Sequence, residues 1–128
     1  MKNVLLFGYG KMGSSIARGW ILKKLKFNFF IIEKESSLRK NARKDGFKSY
    51  ENINLLNDGD NLKNIHIIFL AVKPQQMENT IKKFSSFNFT NFVFISIAAG
   101  LSFAWFRKKI NKDIKIVRAM PNLPASIG

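Results

Sequence analysis

The chain has 128 residues, a length typical of one domain, and 46% of them are hydrophobic. It contains no cysteine, which excludes disulfide bonds, zinc–thiolate sites and cysteine nucleophiles. The formal net charge is +14, from 22 Lys and Arg against 8 Asp and Glu, so a nucleic-acid partner has to be considered.

An apolar strand that runs into a glycine-rich loop is the first predicted element. Residues 4–7 are apolar, the loop Gly8-Tyr9-Gly10-Lys11-Met12-Gly13 follows, and a helical pattern then extends to about Lys24. Gly8 allows a tight turn, Gly10 lets a pyrophosphate approach the backbone, and Gly13 lets the helix pack close to the sheet. The free N–H groups at the helix start would face the phosphates. This order predicts a dinucleotide-binding turn, and the alternative is a purely structural glycine turn.

Glu33 ends the second predicted strand, 27–32, about 20 residues after the glycine loop, as dinucleotide-binding folds require. An acidic side chain there accepts hydrogen bonds from the adenosine ribose hydroxyls and repels a 2′-phosphate, which favours NADH over NADPH. The nearby cations Lys34 and Arg39 leave the choice open, because a cation can accommodate that phosphate. The alternative is a Glu that simply faces solvent at a strand end.

Strand and helix patterns alternate along the rest of the chain. The alternation predicts an α/β fold, a doubly wound, mostly parallel sheet with helices on both faces, of Rossmann type. The further predicted elements are a helix capped by Ser36 and Ser37 and stopped by Asp45-Gly46, a strand at 47–50, a brief helix at 53–56, a strand at 65–72, a helix at 75–84 after Pro74, a strand at 92–97, a helix from a Ser102 cap to Lys109, and a strand at 114–117.

Ligands of such sheets bind beyond the carboxyl ends of the strands, where the strand order reverses. The unusual segments of this chain lie at those ends: Ala71-Val72-Lys73-Pro74, Ala98-Ala99-Gly100 and Met120-Pro121-Asn122. Small residues at 98–100 would let a planar ring approach the backbone. One rim of the sheet is therefore predicted to carry one extended ligand. His66, the single histidine, begins a strand and is interpreted as structural.

The basic residues are interpreted as solvated helix ends rather than as a nucleic-acid surface. They form short groups such as Lys82-Lys83 and Arg107-Lys108-Lys109, where cations suit the helix dipole. We expect no nucleic-acid partner, although the charge would help to attract an anionic cofactor. The longest other apolar run, 67–72, is too short to cross a bilayer, so we also expect a cytoplasmic protein with no membrane partner and no metal site.

Four segments together resemble the pyrroline-5-carboxylate reductases. They are Gly8-Tyr9-Gly10-Lys11-Met12-Gly13, Ala71-Val72-Lys73-Pro74-Gln75, Ser96-Ile97-Ala98-Ala99-Gly100 and Arg118-Ala119-Met120-Pro121-Asn122. The last three are more specific than the glycine motif, and they separate this family from the 6-phosphogluconate and 3-hydroxyacid dehydrogenases. The resemblance spans essentially the whole chain.

The resemblance implies reduction of the cyclic imine of 1-pyrroline-5-carboxylate to L-proline, the last step of proline biosynthesis, with hydride from NADPH or NADH. It implies that Met120, Pro121 and Asn122 border the nicotinamide and the substrate. Two departures stand out: Leu123 replaces a common threonine, and Glu33 replaces the small polar residue of NADPH-dependent members. The cofactor-binding residues implied by position are Gly8, Tyr9, Gly10, Lys11, Met12, Gly13, Glu33, Ala71, Val72, Lys73, Pro74, Ala98, Ala99 and Gly100.

The resemblance also implies a domain organisation. Residues 1–120 would form the NAD(P)-binding domain, and 121–128 would begin a linker to a helical C-terminal domain that this sequence lacks. In the family that domain dimerises and completes the substrate site, so we expect the catalytic residues there, a homodimer or higher oligomer at full length, and no turnover by this chain alone. The alternatives are a non-catalytic dinucleotide-binding or redox-sensing module and, from the charge, a nucleic-acid binder.

Overall fold

The computed structural model describes residues 2–23, 26–56, 65–82, 84, 93–97 and 100–119. Within these ranges the strands and helices alternate as the sequence predicts. The elements are β1 (Lys2–Phe7), α1 (Lys11–Leu22), β2 (Phe27–Ile32), α2 (Ser36–Lys44), β3 (Lys48–Tyr50), a 3-10 helix (Ile53–Leu56), β4 (Ile65–Leu70), α3 (Pro74–Ile81), β5 (Val93–Ser96), α4 (Phe103–Lys109) and β6 (Lys115–Arg118).

The six strands form one sheet in the order β3-β2-β1-β4-β5-β6, and every neighbouring pair is parallel. Phe7 stands opposite Ile32 on one side and Leu70 on the other, so the carboxyl ends of β1, β2 and β4 are level. The strand order reverses between β1 and β4, which is the Rossmann arrangement. The predicted doubly wound α/β class is therefore confirmed.

The core consists of two apolar clusters, one on each face of the sheet. Leu5 and Phe7 of β1 belong to the cluster that includes Met77 of α3 and Phe106 of α4. Leu6 belongs to the other cluster, with Ala17 of α1 and Ala42 of α2. Successive residues of a strand point to opposite faces, so a strand covered on both faces has to be apolar throughout. This explains the unbroken apolar run that was recognised in the sequence.

The helix boundaries partly correct the sequence predictions. Ser36 and Ser37 were expected to cap α2, and this was wrong: Glu35 takes the N-cap position, and both serines lie inside the first turn. The predicted stop after α2 is confirmed, because Gly46 has φ +95° and its N–H donates to Arg43 O. The Ser102 cap is also confirmed, since its hydroxyl accepts the N–H of Trp105 at 3.1 Å.

Two strands are shorter than the apolar patterns suggested. Phe47 was expected in the third strand, but its N–H donates to Ala42 O and closes the end of α2, so β3 begins at Lys48. β4 ends at Leu70 rather than at 72, because the chain turns there to make Lys73 the N-cap of α3. α3 runs from Pro74 to Ile81, so it begins one residue before the predicted helix at 75–84 and ends before 84. Proline at its first position is favourable, because the N–H that proline lacks has no acceptor there.

His66 lies at the amino end of β4, across the sheet from the carboxyl ends of the strands. Its side chain is exposed, and its Nδ1 accepts the N–H of Asn3 at 3.4 Å. The structural interpretation of this histidine agrees with that position. No helix in the described part of the chain is long and apolar enough to span a membrane.

Candidate functional site

A cleft of about 810 Å³ opens at the carboxyl ends of β1, β2 and β4, at the reversal of strand order. Its floor includes the β1–α1 turn, from Phe7 to Lys11, and the β4–α3 turn, from Ala71 to Lys73. One wall follows the end of β2, and the other follows α3. The cleft thus lies where an open α/β sheet binds its ligand.

Gly8 and Gly13 make the floor of the cleft possible. Gly8 has φ +97°, and a Cβ added to it would lie 2.7 Å from Ala71 O. A Cβ at Gly13 would lie 2.1 Å from Gly8 O, well inside van der Waals contact. The first turn of α1 therefore rests directly on the β1 turn, and both predictions about these glycines are confirmed.

Gly10 has a different environment. It lines the cleft, and a Cβ added to it would meet no atom of the described residues within 4 Å. Gly10 is also the N-cap of α1, and its carbonyl accepts the first helical bond, from Ser14 N at 2.9 Å. The N–H groups of the first helical turn have no intrahelical acceptors, so they offer a donor site for an anion beside Gly10.

Glu33 is fixed at the rim of the cleft by two main-chain N–H groups. Its Oε1 accepts from Tyr9 N at 2.7 Å, and its Oε2 accepts from Glu35 N at 3.0 Å. The side chain is half-buried and lines the cleft. An ionised carboxylate has about four lone-pair sites. Each Glu33 oxygen therefore keeps capacity for a further donor, such as a ribose hydroxyl.

Arg39 is turned away from the cleft that its sequence position suggested. Its Nη1 donates to Glu33 O at 3.0 Å and to Lys34 O at 2.6 Å, so the guanidinium supports the turn after β2. Arg39 is not among the described residues that line the cleft. At this end the charged lining residues are Lys34 and three carboxylates, Glu33, Glu35 and Glu51.

Tyr9 also points away from the cleft. Its ring is 1% exposed and packs edge-on against Phe47, with 6.1 Å between the centroids. Its hydroxyl donates to Asp45 Oδ2, which also accepts Arg18 Nε at 3.1 Å. Burial, together with Asp45, raises the pKa of Tyr9 and keeps its hydroxyl protonated. The bond from Tyr9, aided by Arg18, holds the pKa of Asp45 below its ordinary value.

Replacing Asp45 with asparagine should make the free energy of unfolding less dependent on pH in the acid range. The folded-state pKa of Asp45 lies below its unfolded value, so its stabilisation is fully present above the unfolded pKa. That stabilisation is lost as the pH falls through the folded pKa. Below about pH 4, the free energy of unfolding should therefore drop more steeply in the wild type than in Asp45→Asn. Urea unfolding at a series of pH values measures this, and parallel curves would contradict it.

The other predicted site residues divide into three groups. Lys11, Ala71, Val72 and Lys73 line the cleft with Gly8, Gly10 and Glu33. Met12 and Gly13 lie in the first turn of α1, Pro74 begins α3 and is not among the described residues that line the cleft, and Gly100 has φ +82° at a turn after β5. The remaining five lie outside the described residues: Ala98, Ala99, Met120, Pro121 and Asn122.

Several lining residues were missed in the sequence. Gln76, Asn79 and Thr80 line the cleft from one face of α3, and their i, i+3, i+4 spacing was the available signal. Glu51 and Asn52 line it just after β3, and their position directly after a predicted strand was the available signal. Within the residues that the structure describes, no three His, Asp or Glu side chains are grouped so as to hold a metal ion.

Comparison with known proteins agrees with the resemblance noted in the sequence. The chain is 32% identical to the pyrroline-5-carboxylate reductase of Staphylococcus haemolyticus over 130 residues, which cover 98% of this chain and 46% of that protein. The solved 1-pyrroline-5-carboxylate reductase of Streptococcus pyogenes is 25% identical, with a TM-score of 0.77 over 98% of this chain and 44% of that one. These relatives are named as reductases, so the recognition made from the four segments is confirmed.

A second solved structure has the same fold. The pyrroline carboxylate reductase of Plasmodium falciparum, determined with NADP bound, has a TM-score of 0.71 at 20% identity over 99% of this chain and 44% of that one. The chain therefore has an NAD(P)-binding type of fold. It spans a little under half the length of these relatives, 44% of each solved structure and 46% of the Staphylococcus protein.

The comparison with protein families identifies the group to which these features belong. The family described as NADP oxidoreductase coenzyme F420-dependent matches residues 3–100, a range that begins in β1 and includes the glycine loop, Glu33 and α3. This match covers well over half of the residues of the chain. The chain therefore belongs to the family of NADP oxidoreductases so described.

Proposed function

We propose that this chain is the cofactor-binding half of a pyrroline-5-carboxylate reductase. The observation that carries the proposal is the Gly8–Gly13 turn. This turn lies where the strand order reverses, and its close contacts leave no room for a side chain at Gly8 or Gly13. Relatives of the chain are named pyrroline-5-carboxylate reductases. The full-length protein would reduce the cyclic imine of 1-pyrroline-5-carboxylate to L-proline. When bound, the nicotinamide cofactor supplies the hydride.

The cleft residues divide between the parts of a dinucleotide. The helix start next to Gly10 and Lys11 would hold the pyrophosphate, since free N–H groups and a cation meet there. Glu33 would accept the adenosine ribose hydroxyls with the lone pairs left after its two main-chain bonds. Lys73, exposed at the N-cap of α3, would face the phosphates or the adjoining ribose.

We place NADH ahead of NADPH as the preferred cofactor. A 2′-phosphate at the Glu33 end would meet three carboxylates and Lys34 as the described lining charges. Arg39 is not among the described residues that line this end, and its Nη1 donates to two main-chain carbonyls of the turn. Bringing the 2′-phosphate close to these carboxylates and removing their water costs free energy. NADPH would therefore bind less tightly than NADH.

The rest of the proposal concerns the whole protein. The substrate would bind where the rim meets a second, helical domain, and that domain would carry the proton donor and the dimer interface, as the resemblance implies. The 1–120 and 121–128 division and the cytoplasmic location stay predictions of the sequence. A non-catalytic dinucleotide-binding or redox-sensing module is the second candidate, because every role assigned here to a cleft residue concerns dinucleotide binding.

Fluorescence titrations with NADH and NADPH test the cofactor assignment. We expect the wild type to bind NADH more tightly than NADPH. In Glu33→Gln, this preference for NADH should fall by about tenfold. Arg39→Gln is the matched control. Because Arg39 supports the turn after β2, its replacement should weaken the binding of both cofactors equally. A selective loss of NADPH binding in Arg39→Gln would contradict the assignment of this arginine, and tighter NADPH binding by the wild type would contradict the preference.

Turnover separates the two candidate functions. In a protein of the relatives' full length, NADH oxidation that depends on added 1-pyrroline-5-carboxylate supports the reductase. Dinucleotide binding without substrate-dependent oxidation supports the non-catalytic module. Salt-sensitive retention on DNA that NADH leaves unchanged would instead support a nucleic-acid binder.

A further inference from the structure

Tyr9 lies between two cleft-lining glycines, yet its side chain leaves the cleft. Gly8 and Gly10 have no side chains with which to anchor the loop, and glycine has the greatest backbone freedom of any residue. A loop that binds an anion through its N–H groups needs a fixed backbone. Main-chain bonds supply part of that fixation, since Gly8 N donates to Ile32 O at 2.8 Å and Gly10 O accepts from Ser14 N at 2.9 Å. Tyr9, between these two glycines, supplies the side-chain contacts.

Tyr9 is held by three contacts with residues outside its own loop. Its N–H donates to Glu33 Oε1 at 2.7 Å, just after β2. Its ring is buried in the cluster that also contains Phe47. Its hydroxyl donates to Asp45, the C-cap residue of α2. All three contacts are made within the chain, and together they hold both the main chain and the side chain of Tyr9.

Asp45 connects this anchor to the helix that the loop begins. Its Oδ2 accepts both the Tyr9 hydroxyl and Arg18 Nε, and Arg18 belongs to α1. The Asp45 side chain is 25% exposed and that of Arg18 is 58% exposed, so the ion pair with Arg18 is partly screened by water. The buried Tyr9 contact is the better shielded of the two, and it has the more direct connection to the loop.

We propose that the hydrogen bond from the Tyr9 hydroxyl to Asp45 is a positioning contact that holds residues 8–11 in their anion-binding conformation before a dinucleotide arrives. A loop ordered in advance loses less conformational entropy on binding, so the affinity is higher. The identity of the ligand rests on the proposed function, whereas the effect on the loop does not. Tyr9 is thus a positioning residue that acts through the Gly10 region and does not touch the ligand with its ring.

The test compares Tyr9→Phe with Arg18→Gln. Tyr9→Phe keeps the buried ring and removes the hydroxyl, and we expect NADH to bind about tenfold more weakly. Arg18→Gln removes the other partner of Asp45 but leaves the Tyr9 bond, so its NADH affinity should equal that of the wild type. Both variants are measured where more than nine tenths of each is folded, because a loss of stability alone does not change the Kd of the folded form.

Amide hydrogen exchange without ligand provides the second measurement. Exchange at Gly10 and Lys11 should be faster in Tyr9→Phe than in the wild type, while exchange in β4 stays unchanged. Equal NADH affinities of wild type and Tyr9→Phe, or an equal loss in Arg18→Gln, would overturn the inference. Absence of NADH binding by the wild type would instead count against the proposed function. In that case the exchange rates decide the inference: faster exchange in Tyr9→Phe supports it, and unchanged exchange overturns it.

Discussion

Replacing Gly13 with alanine is expected to destabilise the protein by roughly 3 kcal/mol, at the upper end of the usual cost of overpacking. The added Cβ would lie 2.1 Å from Gly8 O and 2.9 Å from Gly8 C, and both are backbone atoms that cannot rotate away. Relief requires α1 to move off the sheet or the Gly8 turn to open. A loss of this size is a large fraction of the stability of a small domain. Thermal and urea unfolding would measure it.

Gly19 provides the matched control, because it lies in the same helix. A Cβ at Gly19 would meet no atom of the described residues within 4 Å outside the helix's own turns. Alanine in a helix interior is better than glycine by about 0.5–1 kcal/mol, so Gly19→Ala should stabilise the protein. The two glycine-to-alanine substitutions, six positions apart in α1, are thus expected to change the free energy of unfolding in opposite directions. Similar effects of the two variants would contradict the close packing of α1 on the β1 turn.

Replacing Gly10 with alanine is expected to leave the fold intact and to impair dinucleotide binding. The Cβ enters open space beside the cleft, and the backbone at Gly10, with φ −71° and ψ −162°, is accessible to alanine. The stability cost should stay within about 1 kcal/mol, the usual effect of a poorer N-cap residue. The same methyl group would occupy the space into which the pyrophosphate has to come. Overpacking of about 1–3 kcal/mol there corresponds to roughly a 5- to 150-fold rise in Kd.

Titration with NADH, paired with urea unfolding of the same samples, measures both effects of Gly10→Ala. An unchanged Kd would show that no phosphate approaches Gly10, and the proposed pose of the cofactor would fail. A loss of stability as large as that expected for Gly13→Ala would show that Gly10 has a structural role in its own right. Together, the Gly10 and Gly13 variants separate the two demands on the loop: space for a ligand and contact with the sheet.

Some features could be predicted from the sequence because they follow from the hydrophobic pattern or from steric rules. β1 and β4 were recognisable because strands covered on both faces contain unbroken apolar runs, here 4–7 and 67–70. The roles of Gly8 and Gly13 were predictable because each follows from where a Cβ cannot fit. The strand order was also within reach, since alternating strands and helices allow few topologies.

The polar contacts that complete the site could not be predicted in this way. Tyr9 N reaches Glu33 across 24 positions, and the Tyr9 hydroxyl reaches Asp45 across 36. Such pairs leave no periodic signal, so Asp45 was recognised only as part of a helix stop. Arg39 shows the same limit: the sequence gives a cation near Glu33, but the direction of its side chain depends on two main-chain carbonyls that the fold brings within reach.

The pairing of β1 with β4 sets the order in which the cleft can form on a nascent chain. One edge of β1 can pair as soon as Ile32 has been synthesised, because the register joins Phe7 to Ile32. The other edge has to wait for Leu70, which stands opposite Phe7 in β4. Closing this longer loop costs more chain entropy, and non-local strand pairing is intrinsically slow. The cleft at the carboxyl ends of these strands therefore cannot form before β4 has been synthesised, although its glycine loop is translated well before β4.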